Sequence, residues 1–176
     1  MLGVGFLPDY SEINCLVIED SAHMRTIIRT ILQGLGVRRV IEAEDGVSGI
    51  ERLEQYAPDL VIIDWILPIL NGPELVRLVR KPSHPQGMIP IIMISSYAER
   101  RRVVEAKKLG VHEFLRKPFS ARDLCSRIDS VLLDPRPFVR TDTYYGPAPR
   151  ATIGRGAAAI DGLSTTVPDG ANQVIS

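Results

Sequence analysis

An excess of charge of either sign is missing from this chain. Its 21 Lys and Arg balance 21 Asp and Glu over 176 residues, for a formal net charge of zero. Nothing global therefore favours nucleic acid or an anionic membrane surface as a partner. Cysteine is scarce as well: Cys15 and Cys125 stand far apart and follow no metal-ligand spacing, which argues against a zinc site or a disulfide framework. His23, His84 and His112 also lack ligand spacing, and no catalytic role is expected for any of them. No apolar run reaches the length of a membrane span. No internal repeat is present, and Met1 to Tyr10 carries Gly, Pro and Asp where an export signal needs a basic start and an apolar centre. A reduced, cytoplasmic protein is expected.

The chain does have a 45% hydrophobic share, ample for one packed core, and it is arranged as short apolar runs alternating with helical patterns. That alternation is the signature of a parallel sheet with crossover helices, an α/β fold with helices on both faces. Strands are expected at about Asn14–Glu19, Arg39–Ala43, Leu60–Asp64, Ile91–Ser95 and Glu113–Arg116. Ser21 should cap a first helix in which Ile27, Ile28, Ile31, Leu32 and Leu35 recur with helical spacing. A second helix, Val47–Tyr56, should turn Val47, Ile50 and Leu53 to the core. Further helices are expected over Pro73–Arg80, Glu99–Leu109 and Ser120–Leu133. A folded domain is read over residues 11–134. From Pro135 to Ser176 periodicity is lost, and a disordered or extended tail is expected. The aromatic and basic residues of Arg136–Arg140 and Tyr144–Gly146 suit docking on the body or on a partner.

The polar punctuation of these strands carries the chemistry. Leu60-Val61-Ile62-Ile63 ends in Asp64, a carboxylate that is costly to desolvate without compensation. Cys15-Leu16-Val17-Ile18 ends in Glu19-Asp20, Ile91-Ile92-Met93-Ile94 in Ser95-Ser96, and Glu113-Phe114-Leu115-Arg116 in Lys117-Pro118. In an open parallel sheet functional groups gather at the carboxyl ends of the strands. Glu19, Asp20 and Asp64 are oxygen ligands suited to Mg²⁺, with Mn²⁺ as an alternative. Lys117 and Ser95 supply a positive charge and a hydroxyl beside Asp64, the set that phosphoryl transfer requires.

These residues, in this order and spacing, resemble the receiver domain of two-component response regulators, the CheY-like family. The motifs are Val17-Ile18-Glu19-Asp20-Ser21; Asp64 with Leu67-Pro68 and Asn71-Gly72; Pro90 to Ser96; and Gly110 leading to Phe114-Leu115-Arg116-Lys117-Pro118-Phe119. The resemblance covers about Ile13 to Leu133. It implies a flavodoxin-like (βα)5 fold, a doubly wound five-stranded sheet ordered 2-1-3-4-5. Asp64 would accept a phosphoryl group from a phosphohistidine on a histidine kinase or a histidine phosphotransfer protein. Mg²⁺ would be held by Asp20, Asp64, Glu19 and the backbone carbonyl of Ile66. Lys117 would bind the phosphoryl group through a chain with a cis bond to Pro118. Ser95 and Phe114 would form the switch, and the last two helices with strand five would present the changed surface to a downstream protein. Such a protein is a regulator with self-catalysed phosphotransfer and slow autodephosphorylation rather than an enzyme, with no nucleic-acid or membrane partner and with homodimerisation open.

Departures from the family pattern are Glu19 for the more usual Asp, Leu67 for Met, Ser95 for Thr, and a Phe114 that lacks the phenol oxygen of many members. Three readings stay open. A stand-alone receiver acting as effector, relay shuttle or phosphate sink leads. A phosphatase of the haloacid dehalogenase type shares the Asp, Mg²⁺, hydroxyl and Lys, but wants a second Asp where Ile66 stands. A non-phosphorylated docking module is the third. The basic run Arg100-Arg101-Arg102 with Lys107 and Lys108 is read as a solvated face of the fourth helix or as a site for an acidic partner.

Overall fold

Short runs rich in Ile, Val and Leu favour extended backbone, and the stretches between them carry helical spacing behind Ser, Asp and Asn caps. In the computed structural model, which describes residues 9–97 and 99–150, the order is β1 (Asn14–Ile18), α1 (Ala22–Gly34), β2 (Arg39–Ala43), α2 (Gly46–Tyr56), β3 (Leu60–Asp64), α3 (Gly72–Val79), β4 (Ile91–Ser95), α4 (Arg100–Lys108), β5 (Glu113–Arg116), α5 (Ala121–Leu132), β6 (Phe138–Arg140) and β7 (Tyr145–Pro147). Ser21 accepts the Met24 N–H at the start of α1. Asp45 with Ser48, Asn71 with Glu74, and Ser120 with Asp123 form reciprocal capping boxes at α2, α3 and α5. No helix among the described residues is long and apolar enough to cross a membrane.

Strands β1 to β5 form one parallel sheet ordered β2-β1-β3-β4-β5, as the resemblance implies. Successive residues of each strand face opposite layers of core. Leu16, Ile18, Val61, Ile63, Ile91 and Met93 pack toward α2, α3 and α4 through Leu53, Leu75, Val76, Val79 and Ala106. Cys15, Val17, Leu60, Ile62, Ile92 and Ile94 pack toward α1 and α5 through Ile28, Leu32, Leu124, Ile128 and Val131. Burial on both faces explains why the strands read as unbroken apolar runs.

One expectation for α2 is corrected. Val47 is 42% exposed, while Gly46, Gly49 and Leu53 are the buried residues of that helix. Gly49 lies against the Ile18 side chain of β1 and Gly46 against Leu70 in the loop after β3, so the contact face is rotated away from Val47.

Within the expected disordered or extended tail, residues 138–147 are ordered and dock on the body, as the aromatic and basic residues there suit. Strands β6 and β7 pair antiparallel as a hairpin, closed by the Thr141 N–H donating to the Tyr144 carbonyl at 2.8 Å. Phe138 is buried, its ring edge-on to Tyr145 at 4.8 Å. The hairpin grips the amino-terminal rim of β4 and β5. Gly110 has φ +84°, and a Cβ on it would stand 2.6 Å from the Tyr145 carbonyl oxygen, so only glycine fits there. The buried Arg80 guanidinium donates to the carbonyls of Gly110, Gly87 and Ile89 at 3.0, 2.7 and 2.6 Å and lies 5.2 Å from the Phe138 ring centroid. Glu113, at the start of β5, accepts from Arg127 at 3.2 Å and Arg150 at 2.6 Å. This order comes from contacts distant in sequence, which local periodicity does not record. The rest of the expected tail, residues 151–176, lies outside the described residues.

The same rim holds a pH-sensitive group. Burial pushes His112 down to about 3, and the charges of Arg80 and Arg136 act in the same direction. Its Nδ1 accepts the Ile91 N–H at 3.2 Å and sits 3.3 Å from Arg80 Nη2, so the neutral ring is the one that fits. The unfolded chain takes up this proton near pH 6.5, whereas the folded chain resists it down to about 3. The ring's stabilising share is therefore complete above pH 6.5 and declines as pH falls toward 3. Urea midpoints measured across this range should show His112→Asn losing on the order of 1–3 kcal/mol less than the parent on acidification. Parallel profiles for the two proteins would assign the acid limb to other groups.

Candidate functional site

Parallel register sets the carboxyl ends of the central strands side by side. Ile18 pairs with Ile63, and Asp64 with Ile94, so Glu19, Asp64 and Ser95 emerge on one edge. Ser95 in turn pairs with Arg116, which puts Lys117 on the same edge. The edge coincides with the reversal of strand order between β1 and β3, where ligands of open α/β sheets bind. Glu19, Asp64 and Lys117, expected together at this edge, are in direct contact.

Lys117 Nζ donates to Glu19 Oε2 at 2.6 Å and to Asp64 Oδ2 at 2.7 Å. Glu19 is 1% exposed and Asp64 7%, whereas Asp20 faces solvent. Burial raises the Glu19 carboxyl above the usual range, the Asp64 charge adds to this, and Lys117 opposes it. Burial works against the Lys117 ammonium, but its bonds to Asp64 and Glu19 prevail and raise it. Two carboxylates thus share one ammonium, leaving this cluster an excess of negative charge. Oxygen atoms of Glu19, Asp20 and Asp64 lie within 4.8 Å of one another. This hard-oxygen donor set, with an exposed member open to water, fits a hydrated divalent cation such as Mg²⁺.

The loops that carry these groups are tightly held. Ser21 N–H donates to Glu19 Oε1 at 3.2 Å, and Arg25 Nη1 donates to the carbonyls of Glu19 and Asp20 at 2.6 and 3.0 Å. Arg25 was not singled out by sequence reasoning, since it sits on the polar stripe of α1 and nothing in the helical spacing marks its aim. After Asp64, Gly72 donates to the Trp65 carbonyl at 3.0 Å, and a Cβ on Gly72 would come 2.3 Å from the Asp64 carbonyl oxygen. Ile66 N–H points to Asp64 Oδ1 at 3.4 Å, and the Ile66 side chain is 50% exposed. The Lys117–Pro118 bond is cis.

Around this centre lie aromatic groups. Phe114 is half-buried, with its ring edge-on to Trp65 at 6.2 Å. Ser95 is buried, and its Oγ accepts the Tyr97 N–H at 3.1 Å. Of the basic run, Arg100, Arg101, Lys107 and Lys108 are exposed, but Arg102 is half-buried. Its guanidinium carbon lies 4.7 Å from the Tyr97 ring centroid and 5.4 Å from that of Trp65. The sequence reading merged Arg102 with the solvated face because its neighbours share its charge.

Residues 15–129 match the family model of the response regulator receiver domain. The chain is 42% identical over 118 residues to the chemotaxis protein CheY1 of Helicobacter pylori, covering 66% of this chain and 94% of that protein. It is 31% identical over 116 residues to the chemotaxis protein CheY-3 of Vibrio cholerae, covering 66% and 88%. Among solved structures, it is similar to Vibrio cholerae CheY4 with a TM-score of 0.63 and 28% identity, over 68% of this chain and 98% of that one. It is also similar to the receiver domain of a sensor histidine kinase from Pseudomonas aeruginosa, with a TM-score of 0.60 and 27% identity, over 66% and 94%. That structure has a magnesium ion coordinated in its active site cleft. The chain belongs to the response regulator receiver domain family, the CheY-like regulators of two-component signalling.

Proposed function

We propose that Asp64 accepts a phosphoryl group from the phosphohistidine of a histidine kinase or histidine phosphotransfer protein. The observation that carries this reading is the single ammonium of Lys117 bridging two buried carboxylates at 2.6 and 2.7 Å. In the transfer an Asp64 carboxylate oxygen forms a bond to phosphorus while the bond from phosphorus to the histidine nitrogen breaks, leaving its electron pair on the ring. Asp64 is held ready for attack by Lys117. Once it carries phosphate, the ammonium has a second anion within reach and shields the added charge. Glu19, Asp20 and Asp64, with the backbone carbonyl of Ile66, would hold Mg²⁺. The ion would supply neutralisation of the charge on the phosphoryl oxygens.

Ser95 then turns toward the phosphoryl group and Phe114 follows inward, changing the surface of α4, β5 and α5 that a downstream protein reads. Residues 11–134 are taken as the receiver domain, with the hairpin as an addition to its far rim. The protein acts as a regulator, with a relay or sink role as the alternative. The half-exposed Ile66 occupies the place of the general acid that a haloacid dehalogenase phosphatase needs, which disfavours that reading.

Trp65 adjoins the site and reports on it. Titrating Mg²⁺ should change its fluorescence, and BeF₃⁻, which mimics the phosphoryl group, should extend the change. An unresponsive signal would overturn the phosphoacceptor reading in favour of a docking module. The lifetime of the acyl phosphate is a separate matter. An apolar Ile66 side chain cannot hydrogen-bond an attacking water, so phosphoryl-Asp64 is expected to outlast that of the chemotaxis regulators. Release of label within seconds would reject this.

A further inference from the structure

Arg102 is an odd residue to find between two rings. Its Nη1 is sealed from solvent and has no hydrogen-bond partner among the described residues, a costly arrangement that an apolar side chain of similar length would avoid. The rings that hold it belong to Trp65, the residue after Asp64, and Tyr97, two residues after Ser95. Tyr97 is otherwise half exposed, and its N–H pins the Ser95 hydroxyl at 3.1 Å. Trp65 also meets Phe114, edge-on. One guanidinium on α4 thus touches both neighbours of the groups that must rearrange.

We propose that Arg102 is a positioning residue, a latch that holds the connection between β4 and α4 in the resting arrangement and keeps Ser95 engaged with Tyr97. The inference rests on the phosphoacceptor reading of Asp64. Turning the hydroxyl toward a phosphoryl group takes from the Tyr97 N–H its acceptor, so the Tyr97 backbone shifts to find another and its ring leaves Arg102. The stack opposes that movement, and the sealed Nη1 weakens the opposition enough for it to be reversible. Release frees Nη1 to find water or an acceptor, so the latch, once open, is not driven shut by an unmet donor.

Amide hydrogen exchange at Tyr97 reads the latch without any ligand. Removing the stack with Arg102→Ala should speed that exchange about fivefold and tighten Mg²⁺-dependent BeF₃⁻ binding by a similar factor, the scale of one guanidinium–aromatic contact. Arg102→Lys keeps the charge but loses the planar stack, and should behave as the alanine variant does. Unchanged exchange, or unchanged or weaker BeF₃⁻ binding in a variant whose exchange has risen, overturns the latch. A parent protein that fails to bind BeF₃⁻ at all overturns the phosphoacceptor reading, and that outcome is distinct because exchange is measured before the anion is added.

Discussion

Asp64→Asn is expected to lower phosphoryl uptake from a phosphorylated histidine donor by at least about a thousandfold, to below detection, while leaving the protein folded. The amide matches the carboxylate in shape, so its one oxygen, turned to the position of Asp64 Oδ2, can still accept from Lys117. What it lacks is the negative charge that makes an oxygen nucleophilic. Stability should shift by no more than about 1 kcal/mol, because removing one of two buried carboxylates that share a single ammonium also relieves their mutual repulsion. Transfer of label from the kinase, read with the urea midpoint on the same preparation, separates the two effects. An Asp64→Asn protein that still takes up label would move the acceptor elsewhere. A variant that unfolds instead would show that Asp64 holds the edge of the sheet together.

Arg80→Ala should be the most destabilising single change on the far rim, by about 3–5 kcal/mol. Arg80 is 8% exposed, and its guanidinium satisfies three buried carbonyls from two separate loops. The Phe138 ring also loses its cation contact, so the hairpin detaches with the rest. The denaturant midpoint should fall with little change in slope, and amide exchange within β6 and β7 should rise first. A loss below about 1 kcal/mol would mean that the rim reorganises around the missing side chain and that the hairpin folds independently of it.

Much of this molecule can be read without coordinates, and the reason differs from element to element. The five apolar runs mark the strands because burial on both faces of a parallel sheet leaves little room for polar residues. Asp64 is conspicuous for the same reason, as a carboxylate ending such a run. Caps such as Ser21 and Asn71 are legible because they act within four residues. Val47 was misplaced because helical spacing leaves neighbouring faces open: Val47, Ile50 and Leu53 form one stripe, Gly46, Gly49 and Leu53 another. The helix buries the stripe whose glycines leave room for Ile18 and Leu70.

Arg80 and Arg102 were not legible at all. Each lies among charged or loop residues of similar type, and what distinguishes it is the company it keeps from distant parts of the chain. Arg80 gathers carbonyls from residues 87, 89 and 110, and Arg102 stands between rings 65 and 97. For the hairpin, composition pointed to docking but not to strands. Its three-residue strands carry no period, and their order depends on Gly110 and Arg80, supplied by other elements.

What the amino-acid sequence determined alone is therefore the five strands and five helices of the receiver, the family and the chemical kinds of group at the sheet edge, because alternation, capping and motif spacing are local. Tertiary structure alone decided that one ammonium serves two buried carboxylates, that Arg102 left the solvated face, and that residues 138–147 close the far rim. Desolvation and charge depend on which distant groups come together, and only the folded chain specifies that.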